Sequence, residues 1–118
     1  GGSNPTIFDT PFELEEDEIS RKLEPLMEQN AVMILHCPPY GHLDKVMGDK
    51  HVGSTAILEM VRQYRPRAVL SGHIHEDRGV IREDGTLFMN PGAAKDGHSA
   101  LLDIGNEISG VLLDKVVE

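Results

Sequence analysis

Two short, unbroken apolar runs constrain this chain more than any other feature: Ala31-Val32-Met33-Ile34-Leu35, halted by Pro38-Pro39, and Arg67-Ala68-Val69-Leu70-Ser71, halted at Gly72. Runs this short, without polar alternation and stopped by turn formers, read as strands buried on both faces. Between them, from Ser54 to Tyr64, the residues Ile57, Val61 and Tyr64 share one helical face with Met60 beside them, and Pro66 ends the pattern. The spacing predicts a helix packed on the sheet. A strand-helix-strand unit makes its strands parallel, because a helical crossover returns the chain to the end from which it left.

The flanks complete an α/β layered plan. Upstream, Glu13, Glu15, Glu16, Asp17 and Glu18 precede Arg21 and Lys22, the order a helix dipole favours. Ile19, Leu23, Leu26 and Met27 recur at helical spacing, so an amphipathic helix with a solvated acidic start is expected, bent or broken near Pro25. Downstream, Gly79-Val80-Ile81-Arg82 and Thr86-Leu87-Phe88-Met89 flank an Asp84-Gly85 turn. Strands near Ser99 to Ile104 and Gly110 to Val117 flank Gly105-Asn106. These predict an antiparallel meander at the C-terminal end. At 118 residues the chain has room for one core, so residues 1–118 are expected to form a single domain.

Composition removes several functions. With 20 acidic against 11 basic side chains the formal charge is −9, which opposes nonspecific binding to duplex nucleic acid. No stretch approaches the roughly 18 apolar residues of a membrane span, and Gly1 to Thr10 lacks the layout of a signal peptide. A cytoplasmic location without membrane partners is expected. The one cysteine, Cys37, rules out an internal disulfide and multi-cysteine zinc sites. Its position next to His36 on extended backbone points the two side chains apart, against a thiol nucleophile.

Any metal must then be held by nitrogen and oxygen, which brings the six histidines forward. His36 directly follows the first apolar run, and Gly72-His73-Ile74-His75 directly follows the second. Ligands of open α/β sheets collect at the carboxyl ends of the strands. Parallel neighbouring strands would place His36 and the His73/His75 pair on one rim, within reach of a shared ion. His51 and Ser54, entering the second helix, are candidates to face substrate; Ser54 reads equally as a plain helix cap. Glu76 is a candidate to orient a ligand histidine through its other nitrogen. His42 and Asp44 are expected at the pocket rim or on an exposed loop, and His98 has no evident partner.

His36-Cys37-Pro38-Pro39-Tyr40-Gly41, His51-Val52-Gly53-Ser54, Ser71-Gly72-His73-Ile74-His75-Glu76 and Asn90-Pro91-Gly92, in that order, resemble the C-terminal half of calcineurin-like metallophosphoesterases, especially the microbial branch. Gly1 to Thr6 also looks like a native loop of that branch. The resemblance implies the C-terminal half of a four-layer α/β/β/α sandwich and a metal-dependent phosphoesterase, acting on phosphomonoesters or phosphodiesters. His36 and His73 would share one divalent ion and His75 would hold the other, with manganese, zinc, iron or nickel as candidates. Asn90-Pro91-Gly92 would shape a turn.

The family's early Asp-x-His, its GDxxD and its GNH have no counterpart in this sequence. Three neutral imidazoles do not offset two divalent cations, so oxygen ligands are wanting. The expectation is a fragment inactive alone, partnered by the missing N-terminal half of the domain or by a second copy of itself. The alternative is a binding or scaffold module that keeps the fold without the chemistry.

Overall fold

The computed structural model describes residue 4 and residues 13–114; the loop expected at Gly1 to Thr6, apart from Asn4, and the last residues of the final expected strand lie outside them. The secondary structure runs α1 (Glu16–Leu23), β1 (Val32–Ile34), β2 (Lys45–Val46), β3 (Lys50–His51), α2 (Thr55–Tyr64), β4 (Ala68–Leu70), β5 (Gly79–Glu83), β6 (Thr86–Asn90), β7 (Ser99–Ile104) and β8 (Ile108–Leu113), with short 3-10 turns at Glu24–Leu26, His75–Asp77 and Ala94–Asp96.

β1 and β4 pair in parallel, β4 and β6 pair in parallel, and β5 closes the sheet antiparallel to β6, giving the order β1-β4-β6-β5. The strand-helix-strand inference therefore holds. The antiparallel strands expected downstream divide between two sheets. β5 and β6 turn through Asp84 and Gly85, both at positive φ, the conformation of a tight two-residue hairpin loop. β7 and β8 form a separate two-stranded layer. The strand expected from Gly110 begins at Ile108 instead, because Gly105 turns back early, its N–H donating to the Glu107 carbonyl.

The four-stranded sheet is covered on both faces. On one side Ile19, Ala56, Ile57 and Val61 of the helices meet Met33, Val69 and Phe88. On the other, Ala68, Leu87 and Met89 meet Ile108, with Ala100 and Leu102 packed alongside. All five residues of β6 are buried. The result is a mixed α/β arrangement of helices, sheet and antiparallel pair, the layering expected of this half of a sandwich.

Three expectations change at the edges. β1 is not buried on both faces: it is an edge strand, and Ile34 is 77% exposed because nothing among the described residues covers its outward face. Leu26 is also exposed: the helix ends at Leu23, breaking near Pro25 as expected, and the 3-10 turn Glu24–Leu26 that follows rotates the apolar stripe away. Glu16, expected in the solvated acidic run, accepts hydrogen bonds from the Ser54 hydroxyl at 2.6 Å and the Ala56 N–H at 3.0 Å. Its carboxylate thus sits at the positive start of α2.

Candidate functional site

The parallel ladder of β1 and β4 continues one step past the strands. Ile34 is opposite Leu70, the Leu35 N–H donates to the Leu70 carbonyl, and the Gly72 N–H donates to the His36 carbonyl at 2.9 Å. His36 is therefore in register with Gly72, directly before His73. His73 adopts a positive φ of 64°, rare for a side chain with a Cβ, and this bend brings its ring against His36. His36 Nε2 and His73 Nδ1 lie 3.0 Å apart, one donating to the other, with ring centroids 4.8 Å apart.

His73 has its pKa held below the usual imidazole value, first by burial, then by the charges of His36 and His75, against the opposing pull of Glu13 and Glu76. A neutral imidazole is the form that ligates a metal, so this shift favours ligation near neutral pH. His75 is exposed in the 3-10 turn His75–Asp77 and acts on His73 through charge. Glu76 is exposed in the same turn. It acts on His73 through charge as well, and among the described residues no hydrogen bond joins it to a histidine.

Asn90, expected only to shape a turn, is the residue that pins this loop. Fully buried, it donates from Nδ2 to the Ile74 carbonyl at 2.7 Å and the Asp77 carbonyl at 3.3 Å, while Oδ1 accepts from the Gly92 N–H. Gly92 turns at positive φ, where a Cβ would meet His98 Nδ1 at 2.9 Å. His98, which had no partner in sequence, thus packs against the turn.

A second cluster lies on the loop between His36 and α2. Pro39 and Ser54 form a parallel bridge, the Ser54 N–H donates to the Pro38 carbonyl at 2.8 Å, and the Tyr40 N–H donates to the Ser54 carbonyl at 2.9 Å. The approach is so close that a Cβ on Gly53 would lie 2.5 Å from the Pro39 oxygen. Ser54 is fully buried, and its Oγ accepts from the Ile57 N–H at 3.1 Å; of its two readings, this geometry is that of the helix cap.

Asp44 is not at an exposed rim: its side chain is fully buried, and Oδ2 accepts from the Gly41 and Gly53 N–H groups, both at 2.8 Å. Its Oδ1 lies 2.6 Å from Nδ1 of His51, whose side chain is 32% exposed. His42 stacks on Phe88 and reaches Glu83 at 2.7 Å, tying its loop to β5, and these three residues line a pocket beside α2. Cys37 is buried, and burial pushes its thiol pKa up.

The donor set fits imidazole ligation of one ion. Two nitrogens each about 2.1 Å from a metal sit about 3–3.4 Å apart, and the histidine pair has that spacing. The described residues contain no cluster of three or more histidine, cysteine, aspartate or glutamate side chains able to hold a metal. A two-metal centre would thus draw its oxygen ligands from elsewhere.

A mixed α/β sheet with paired histidines at its carboxyl rim defines an α/β protein with a candidate metal site. Residues 11–110 match the metallophosphoesterase family of the calcineurin superfamily, and the chain belongs to that family. An uncharacterized protein of Methanocaldococcus jannaschii is 36% identical over 98 residues, covering 77% of this chain and 45% of its own length. The human metallophosphoesterase domain-containing protein 1 is 39% identical over 61 residues, covering 50% of this chain and 19% of its own. A solved crystal structure, 23% identical with a TM-score of 0.73, shares the fold over 98% of this chain and 47% of its own. The chain thus spans less than half the length of these relatives.

Proposed function

We propose that this chain carries the histidine side of a metal-dependent phosphoesterase, one that hydrolyses phosphomonoesters or phosphodiesters at a two-metal site. The observation that carries this reading is the approach of His36 Nε2 to His73 Nδ1, 3.0 Å apart at the ends of adjacent parallel strands, in a chain of the metallophosphoesterase family. His36 and His73 would hold one divalent ion, of manganese, zinc, iron or nickel, and His75 its partner. Bound metals of this kind supply a hydroxide nucleophile at neutral pH and neutralise phosphoryl charge.

The chain's own residues contribute position. Asn90 holds the His73 loop, the β1 and β4 register places His36 beside it, and His51 faces the substrate. Glu76 places a carboxylate near His73. The oxygen ligands come from the other half of the domain, so the fragment alone is inactive and binds an ion weakly. Among the described residues no helix is long and apolar enough to cross a membrane.

Titrating manganese or zinc into this chain joined to its N-terminal half, with a chromogenic phosphodiester as substrate, tests the reading. Metal-stimulated hydrolysis, lost in the His73→Ala variant, is expected. No stimulation, with His73→Ala indistinguishable from the parent, overturns it. That second outcome favours a binding or scaffold module, the reading supported by the lack of a three-ligand cluster among the described residues.

A further inference from the structure

The buried Asp44 carboxylate has a purpose that a loop anchor does not require. Two backbone N–H groups, of Gly41 and Gly53, already satisfy Oδ2 and tie the loop after His36 to the loop before α2. Oδ1 is committed separately, to Nδ1 of His51 at 2.6 Å. An ionised carboxylate only accepts, so the hydrogen sits on Nδ1 and the nitrogen left for solvent or ligand is Nε2. The ring plane is restrained further by Tyr40, whose centroid is 5.5 Å away. Among the described residues Nε2 has no hydrogen-bond partner.

The ribbon that carries His51 is anchored to both histidine loops. Lys45 on β2 is opposite His51 on β3, and the Lys45 N–H donates to Asp77 Oδ2 at 2.9 Å, in the 3-10 turn that contains His75. On its other side the segment 51–54 is bridged to Pro39, three residues beyond His36. Tertiary structure therefore holds one oriented imidazole, with an open nitrogen, on the rim that carries the histidine pair.

Resting on the phosphoesterase reading, we propose that His51 binds the ester with a hydrogen on each ring nitrogen, Nδ1–H donating to Asp44 and Nε2–H donating to a phosphoryl oxygen, and that Asp44 is its positioning residue. Asp44 keeps a hydrogen on Nδ1, sets where the ring points and offsets the charge of the second hydrogen, as an acidic partner does for a catalytic imidazole. The ligand is a phosphate group; the alcohol side of the ester lies outside this contact.

Histidine nitrogen NMR on the 15N-labelled full chain, titrated with inorganic phosphate, tests the proposal. In the free chain Nδ1 of His51 is expected to carry a hydrogen, and its Nε2 resonance is expected to move saturably toward the position of a protonated nitrogen as phosphate is added. His51→Gln should weaken phosphate about tenfold or more, the worth of one charge-assisted hydrogen bond. Asp44→Asn should leave the backbone spectrum folded while changing the His51 tautomer and lowering phosphate affinity. If that buried change prevents folding, His51→Gln decides alone, because its side chain is partly exposed.

A parent ring with Nδ1 bare and its hydrogen on Nε2 alone, no movement of His51 with phosphate, or equal phosphate affinity in His51→Gln overturns the proposal. A parallel manganese titration reads His36 and His73. Their failure to respond, with His51 still responding to phosphate, sinks the two-metal reading and leaves the phosphate contact standing. The opposite pattern removes the contact alone.

Discussion

Asn90 shows how much of this rim depends on one neutral side chain. Its amide serves two carbonyls and one N–H, so Asn90→Ala leaves the buried Ile74 carbonyl and the half-buried Asp77 carbonyl and Gly92 N–H without their partner. A loss of about 2 kcal/mol is expected in urea unfolding, together with loss of the His36 to His73 coupling in NMR spectra. Asn90→Asp is expected to be worse, because a carboxylate cannot donate to the Ile74 and Asp77 carbonyls.

Cys37 gives a pH signature of its own. Burial raises its pKa above the ordinary 9.0, so between those values the unfolded chain has released a proton that the folded chain retains. Stability is therefore expected to fall as pH rises past about 9, and Cys37→Ala should flatten that limb in denaturant midpoints measured from pH 8 to 10. The thiol should react with a soluble disulfide reagent only as the protein unfolds.

At the scale of elements, the start of α2 joins three parts of the chain. Ser54 caps the helix and donates to Glu16 of α1, while its own backbone is stitched to the Pro38-Pro39 segment. Ser54→Ala is expected to cost about 1–2 kcal/mol in thermal or urea unfolding, the range for a lost cap. Gly53→Ala pushes a methyl into the Pro39 carbonyl, and a loss of about 1–3 kcal/mol is expected with the bridge to Ser54 forced open. Circular dichroism at the melting transition measures both.

The molecule as a whole has a covered sheet face and an uncovered hairpin face. Strand alternation turns Ala100, Leu102 and Leu112 toward the sheet and leaves Leu101, Val111 and Leu113 outward, with Leu101 directly opposite Val111. A ribbon apolar on both sides is ordinarily a buried one. Together with the exposed edge strand β1, this face is expected to drive self-association of the isolated chain. Sedimentation at micromolar concentration should show dimers or larger species, reduced by Leu101→Lys with Val111→Thr. A monodisperse monomer of the parent would count against this expectation.

Local chemistry in the sequence determined the elements and the family: the two apolar runs, the helix between them, the Asp84-Gly85 turn, and the order of histidine, proline and glycine motifs. Such features are legible because they rest on periodicity, backbone preference or residues adjacent in the chain. The burial of Asp44, the second role of Glu16, the clamp made by Asn90 and the true face of Ile34 were decided only by tertiary structure. Asp44 is seven residues from His51, Glu16 is 38 from Ser54 and Asn90 is 16 from Ile74. No pattern along the chain marks which distant donors a polar side chain will meet, and no local signal tells an edge strand from a central one.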